Sequence, residues 1–211
     1  FRVVLGVDFD DAALRTFAQN HGSAKAVKLD LFDHNNISVL ETMLAEMGEK
    51  LDVLVGGPPC QGFSLAGKRE EDDERNTLYS AMVKTAAKLK PRAVVLENVP
   101  GMLTLYDGKA KERIFHDFEA LGYKMNVKVL YAPEYGVPQI RKRVFFVGLR
   151  DTKEKFVFPQ PLFSPEEYIT CEDAISDLPT LQTENGDIIR GELVQDYRTP
   201  PLTDYQKMMR I

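Results

Sequence analysis

The chain has 211 residues, 44% of them hydrophobic and 28% charged, which is the balance of a globular protein with one domain, or one domain and the start of another. Its formal net charge of −5 gives no overall basic character, so any nucleic-acid contact has to come from a local patch. Two cysteines without metal-type spacing exclude a disulfide scaffold and a zinc site, and no apolar run approaches membrane-spanning length.

Arg2 to Val7 reads as a buried strand closed by Asp8. Asp10 or Asp11 can cap a helix through His21, with Ala13, Leu14, Phe17 and Ala18 on its apolar side and Gly22 at its end. A short strand follows over Ala26–Leu29. Ser38-Val39-Leu40-Glu41 has the form of a capping box and predicts a helix from there to Gly48. Leu51 to Val55 is the next strand. Gly62 to Asn76 lacks apolar periodicity and reads as a mobile loop carrying the acidic run Glu70-Glu71-Asp72-Asp73-Glu74. Thr77 to Leu89 is helical, and Pro91 blocks its continuation. Ala93 to Leu96 forms a buried strand ending at Glu97-Asn98-Val99-Pro100, and Lys109 to Leu121 forms a helix ended by Gly122. Val127–Tyr131 and Val144–Leu149 are the last strands and the expected antiparallel neighbours at one edge.

This alternation predicts an α/β fold with a doubly wound, mostly parallel sheet and an antiparallel edge strand. Beyond Arg150 prolines recur and periodicity fades, which places a boundary there: 1–150 as the catalytic domain and 151–211 as the connection to a further region. Cys171 reads as a small buried residue near a helix start. His21, His34 and His116 are scattered and form no metal-ligand set, so no metal is expected.

Three motifs carry chemistry. Gly56-Gly57-Pro58-Pro59-Cys60-Gln61-Gly62-Phe63-Ser64 puts a cysteine in a stiff turn directly after a strand, at the carboxyl edge where α/β folds bind ligands. A structural thiol explains that motif alone equally well. Glu97 closes another strand, so it shares that edge in a parallel sheet. Burial favours the protonated, hydrogen-donating form of a carboxyl group, although a solvated strand end is the plainer reading of Glu97 alone. Gln139-Ile140-Arg141-Lys142-Arg143 alternates to place Gln139, Arg141 and Arg143 on one side, a donor-rich face for a carbonyl or phosphate, or simply a basic edge strand.

Pro-Pro-Cys-Gln, then Glu-Asn-Val, then Gln-x-Arg-x-Arg, in that order, resembles the DNA (cytosine-5)-methyltransferase family over residues 1 to about 150. The resemblance implies that Cys60 attacks C6 of cytosine and that Glu97 engages N3 and the exocyclic amine. It implies that Arg143, supported by Arg141, holds the cytosine carbonyl. Gln61, Ser64, Asn98 and Gln139 are then expected to meet the DNA. S-adenosylmethionine is the implied cofactor, leaving S-adenosylhomocysteine, with Asp8, Phe9, Asp30, Leu31, Pro59 and Leu78 as its contacts. A helix cap remains an alternative for Asp8 and Asp10. The implied substrate is a cytosine flipped out of duplex DNA. The expected setting is a prokaryotic restriction–modification system with a cognate endonuclease. The protein is expected to be monomeric, cytoplasmic and nucleoid-associated, without a membrane contact. A tRNA methyltransferase of the same family, from which the loop Gly62-Phe63-Ser64 departs, and a non-catalytic DNA-binding accessory protein are the alternatives.

The family's glycine-rich loop, which should precede Phe1, is absent. Its strand is expected between the strands at Arg2–Val7 and Leu51–Val55, so the sheet is expected to split there. The C-terminal motifs and most of a target-recognition region are also absent, and the chain is expected to be a fragment of a longer polypeptide.

Overall fold

In the computed structural model, which describes residues 1–31, 33–58, 78–179, 197 and 199–210, strand and helix alternate from the start. The order is β1 (Leu5–Asp8), α1 (Asp11–Asn20), β2 (Lys25–Lys28), α2 (His34–Glu46), β3 (Val53–Gly56), α3 (Leu78–Leu89), β4 (Ala93–Asn98) and α4 (Lys109–Ala120). Two long strands then follow without an intervening α-helix, β5 (Tyr123–Tyr131) and β6 (Lys142–Arg150). The short helices α5 (Cys171–Ile175) and α6 (Asp204–Met209) come last.

β1 and β2 pair in parallel as one sheet, and β3, β4, β6 and β5 lie in that order in a second. β3 and β4 are parallel, while β6 runs antiparallel to β4. The antiparallel strand predicted for the edge is therefore one position in, with β5 outside it. β1 and β3 fall in different sheets. Two compact units can be distinguished, one of residues 1–128 and 144–157 and the other of 129–143 and 158–211.

Several elements shift from their predicted bounds, each for a local reason. β1 begins at Leu5 rather than Arg2 and is only half-buried, because β2 is its one neighbour in the sheet. Asp10 caps α1 by accepting from the amides of Ala12 and Ala13, at 2.6 and 3.3 Å. Only Leu14 of the predicted apolar face of α1 is fully buried; Phe17 is half-buried, and Ala13 and Ala18 are exposed. The cap of α2 lies five residues before the predicted one at Ser38, at Asp33, whose carboxylate accepts from the Asn35 amide at 2.9 Å. Ser38 is thus a helix-interior residue, its carbonyl accepting from the Thr42 hydroxyl. Met82 of α3 lies over Gly56, where a Cβ would meet its sulfur at 2.5 Å, so only glycine lets this helix close onto the end of β3.

Along β4 the buried positions are Val94, Leu96 and Asn98, with Ala93, Val95 and Glu97 half-buried between them. Val94 and Leu96 lie within a core that includes Phe118 and Ile114 of α4, Tyr123 and Met125 of β5, and Phe146 of β6. The Phe118 and Tyr123 rings meet edge to face at 5.9 Å, and the Tyr123 hydroxyl donates to the Pro91 carbonyl at 2.8 Å.

α3 is braced to α4 by polar contacts. The buried Tyr79 hydroxyl donates to the Asp117 carboxylate at 2.7 Å. Arg113 Nε donates to both oxygens of that carboxylate, and His116 Nδ1 lies 3.1 Å away. Burial acts to raise the Asp117 carboxyl, but hydrogen bonds from Tyr79, His116 and Arg113, with the Arg113 charge, outweigh it and hold the group below its ordinary value. Burial first, then the bond and charge of Asp117, push the Tyr79 phenol far upward. A depressed folded-state carboxyl stabilises fully above its unfolded pKa, about 3.9, and loses that contribution as pH falls through the lower folded value. Asp117→Asn should therefore lower Tm at pH 7 and flatten the fall of Tm below about pH 4. The loss should be about 1–2 kcal/mol, since Tyr79 is buried but Arg113 and His116 face solvent and are screened. Melting curves from pH 2.5 to 7 check this, and an acid limb identical to wild type would refute it.

In the second unit the region without periodicity still forms α5 and α6. Thr170 and Thr203 cap them with reciprocal side-chain bonds. The buried Asp177 pairs with Arg210, whose guanidinium lies 3.5 Å from the centre of the Tyr197 ring. The buried Gln206 accepts from the amides of Leu202 and Thr203 and donates to the Ser176 hydroxyl. Cys171 is exposed, contrary to expectation: as the first residue of α5 it faces outward, with its sulfur 3.6 Å from the Pro138 carbonyl.

Candidate active site

Parallel pairing decides which side chains share an edge. In β3 and β4 the register matches Gly56 with Leu96, so Gly57-Pro58 and Glu97-Asn98 leave the sheet side by side at its carboxyl end. The half-buried Glu97 carboxylate lies directly over Gly57, where a Cβ would come within 3.3 Å of Oε2. Asn98 is 8% exposed. Its Nδ2 donates to the Pro58 carbonyl at 2.9 Å, and its Oδ1 accepts from the Val99 amide at 2.8 Å. Asn98 was expected to meet DNA. In the structure its carboxamide makes one donated and one accepted bond to backbone, satisfying one carbonyl of the turn after β3 and one amide at the end of β4.

Pro59, Cys60, Gln61 and Ser64, and the expected mobile loop, lie outside the described residues. Leu78 is the first residue of α3. The carboxyl end of the other sheet gathers a second expected group. Asp8 and Lys28 pair in register, and the Leu29 amide donates to the Asp8 carbonyl, which brings Asp8-Phe9 beside Leu29-Asp30-Leu31. Asp8 accepts from the Asp10 amide at 2.9 Å, and Phe9 is 73% exposed. The Asp30 carbonyl accepts from Asn36 Nδ2 at 2.7 Å. The cap alternative is correct for Asp10 but not for Asp8, whose carboxylate accepts within the turn between β1 and α1.

Gln139, Arg141 and Arg143 belong to the second unit. Gln139 and Ile140 precede β6 in a bend, so strict alternation begins only at Lys142. The Arg141 carbonyl accepts from the Ala132 amide at 2.9 Å, and Arg143 Nη1 donates to the Lys142 carbonyl at 2.8 Å. The ammonium of Lys142 stands over the Tyr131 ring at 5.3 Å. Among the described residues no cluster of His, Cys, Asp and Glu could hold a metal, and no helix is long and apolar enough to cross a membrane.

Sequence reasoning did not single out Gly57 as the floor beneath Glu97, nor the bracing role of Asn98. The register that brings these residues together was available only as an inference from two strands of similar length.

The strand order is that of an α/β fold of the S-adenosylmethionine-dependent methyltransferase type. The fold agrees with the crystal structure of an E. coli prophage-encoded protein described as a DNA modification methyltransferase. That match has a TM-score of 0.66 and 28% identity, over 85% of this chain and 49% of the other. S. pombe Dnmt2 methyltransferase shares the fold at a TM-score of 0.54 and 18% identity, over 73% of this chain and 43% of that one. The sequence narrows the class. A family model for C-5 cytosine-specific DNA methylase matches residues 1–209, and the chain belongs to that family. It is 34% identical to the Type II methyltransferase M.DdeI of Desulfomicrobium norvegicum, over all of this chain and 50% of that protein. It is 36% identical to M1.HphI of Haemophilus parahaemolyticus, over 96% of this chain and 54% of that protein. The chain thus spans about half the length of these relatives.

Proposed function

We propose that the protein transfers a methyl group to C5 of cytosine in duplex DNA. The observation that carries this reading is the meeting of two strand ends. Glu97 lies over Gly57, three residues before Cys60, and Asn98 holds the Pro58 carbonyl, two residues before it. A carboxyl group and a thiol introduced from neighbouring strands can engage opposite sides of one pyrimidine ring.

In this reaction the Cys60 thiolate adds to C6, and Glu97 holds N3 and the exocyclic amine so that the added electron pair is delivered to C5. Arg143 and Arg141 supply donors for the cytosine carbonyl. S-adenosylmethionine, when bound, supplies the methyl group that C5 takes. A base, acting through water, then removes the C5 proton, and the electron pair returns to expel the Cys60 thiolate. Cytosine inside a duplex cannot reach both groups, so the base is flipped out. The cofactor's residues fit the group by their chemistry. Asp8 and Asp30 are carboxylates suited to ribose hydroxyls and an adenine amine, and Phe9 exposes a ring beside them for stacking. Pro59, Leu31 and Leu78 supply its apolar cover.

Residues 1–150 are assigned the chemistry and 151–211 the connection to a target-recognition region. Relatives named Type II methyltransferases support a restriction–modification setting; a cognate endonuclease, a monomeric state and a place at the bacterial nucleoid belong to the same proposal.

The test uses duplex DNA carrying 5-fluorocytosine at the target base. Fluorine at C5 cannot leave as a proton, so the adduct should persist. The natural full-length polypeptide should form a denaturation-resistant complex that needs S-adenosylmethionine and disappears in Cys60→Ser. Efficient methylation by Cys60→Ser would overturn the mechanism, and methylation of tRNA in preference to duplex DNA would overturn the substrate.

A further inference from the structure

We infer that Ile140 is an apolar contact to duplex DNA that packs against the base stack beside the target cytosine and so stabilises the flipped-out state. This rests on the methyltransferase reading above, in which Arg143 holds the cytosine carbonyl. Ile140 is 90% exposed, and among the described residues no other large apolar side chain is as open, the terminal Phe1 aside. A single exposed isoleucine needs no explanation by itself, but the loop beneath this one is held in place. The Ala132 amide donates to the Arg141 carbonyl at 2.9 Å and closes the loop at its base. Within it, the Val137 amide donates to the Ala132 carbonyl at 3.2 Å, and the Gln139 amide to the Val137 carbonyl at 2.7 Å. Gly136 turns the chain in the left-handed region, at φ 78°, where a Cβ would come within 3.0 Å of the Phe163 ring. The loop is therefore seated on that ring, and Ile140 projects from a fixed backbone.

Charge identifies the occupant. Gln139 and Arg141 flank Ile140, Lys142 and Arg143 follow, and no acidic residue occurs between Glu134 and Asp151. That run is complementary to a phosphate backbone. Ile140 lies three residues from Arg143, a span of at most about 10 Å, and bases along one strand are stacked about 3.4 Å apart. With Arg143 on the cytosine, Ile140 is within about three stacking distances of the target. Isoleucine cannot bond a phosphate or a base edge, so its partner there is an apolar surface. Flipping one base out leaves a step unstacked, and apolar side chains are what DNA-deforming proteins set against such steps. A fixed loop suits this task, because a tip that became ordered only on contact would lose conformational freedom at that moment. A thymine methyl group in the groove is the other apolar surface DNA offers, and contact with it would not favour flipping.

The test uses the natural full-length polypeptide and a duplex carrying its own methylation site, read by sequencing DNA that the wild type has methylated. A 2-aminopurine beside the target cytosine reports unstacking by its fluorescence. Ile140→Ala should raise Kd for this duplex by about tenfold, the low end of what burying one isoleucine side chain is worth. It should also lower the 2-aminopurine signal at saturating protein by at least twofold. Ile140→Leu should keep both values within about twofold of wild type. The slope of log Kd against log salt should not change, since no phosphate contact is lost, and Tm should hold because the side chain is almost wholly exposed. A raised Kd with an unchanged signal at saturation would mean a groove contact and overturn the inference. Unchanged Kd and signal, a changed salt slope, or a Tm lower by several degrees would each overturn it as well. If wild type methylates no cytosine in duplex DNA, the methyltransferase reading fails. If wild type methylates and unstacks its site and Ile140→Ala does so equally well, only the role of Ile140 fails.

Discussion

Glu97→Gln is expected to lower the methylation rate at saturating DNA by about 10²–10⁴-fold while leaving Tm almost unchanged. General acid catalysis by a positioned side chain is worth that range. Glutamine keeps the shape and can still donate to N3 through its amide nitrogen, but it cannot transfer a proton. Its amide oxygen can still accept from the exocyclic amine, so the loss isolates the proton transfer. The half-buried position at the end of β4 argues against a compensating loss of stability, since the side chain lies over Gly57, which is exposed, and not inside the packed core. Single-turnover rates with saturating donor, alongside melting curves, check the split. A fall of less than threefold would remove Glu97 from the chemistry, and an equal loss of rate and stability would recast it as a structural group.

The parts legible in the sequence were those written locally. Asp10 as a cap, Gly122 after α4, the apolar run of β4 and the strand before Cys60 all follow from short-range rules, and the structure has them. What failed was either competition between caps or stability that leaves no periodic trace. Asp33 captured α2 before Ser38 could, because both are good caps and the earlier one extends the helix by a turn. α5 and α6 show no apolar stripe since their contact is polar, through Gln206, Ser176 and the Asp177–Arg210 pair. At the candidate site the residue types were readable but their pairing was not. The bond from Asn98 to the Pro58 carbonyl leaves no trace in the sequence, because it depends on the register between β3 and β4.

Gly57→Ala should separate activity from stability in the opposite sense to a core mutation. A Cβ at Gly57 would sit 3.3 Å from Glu97 Oε2 and 3.9 Å from the Glu97 carbonyl oxygen. The second contact is ordinary and the first is tight, so the strain falls on the carboxylate end of the Glu97 side chain and not on backbone. The carboxylate moves by a few tenths of an ångström or more, and the fold does not. The backbone at Gly57 is not in the left-handed region, so alanine adds no conformational penalty, and it restricts the unfolded chain. Stability should therefore hold or rise by up to about 1 kcal/mol. The rate should fall by up to about tenfold, less than the 10²-fold that a displacement of about 1 Å costs, because the displaced group is the one that must meet N3 while the thiol meets C6. KM for DNA should change little, since the backbone path is kept. A variant that methylates at the wild-type rate would show that Glu97 has slack above Gly57 and does not work at a fixed distance from the ring. A variant that loses several degrees of Tm would show that the glycine serves the turn and not the carboxylate.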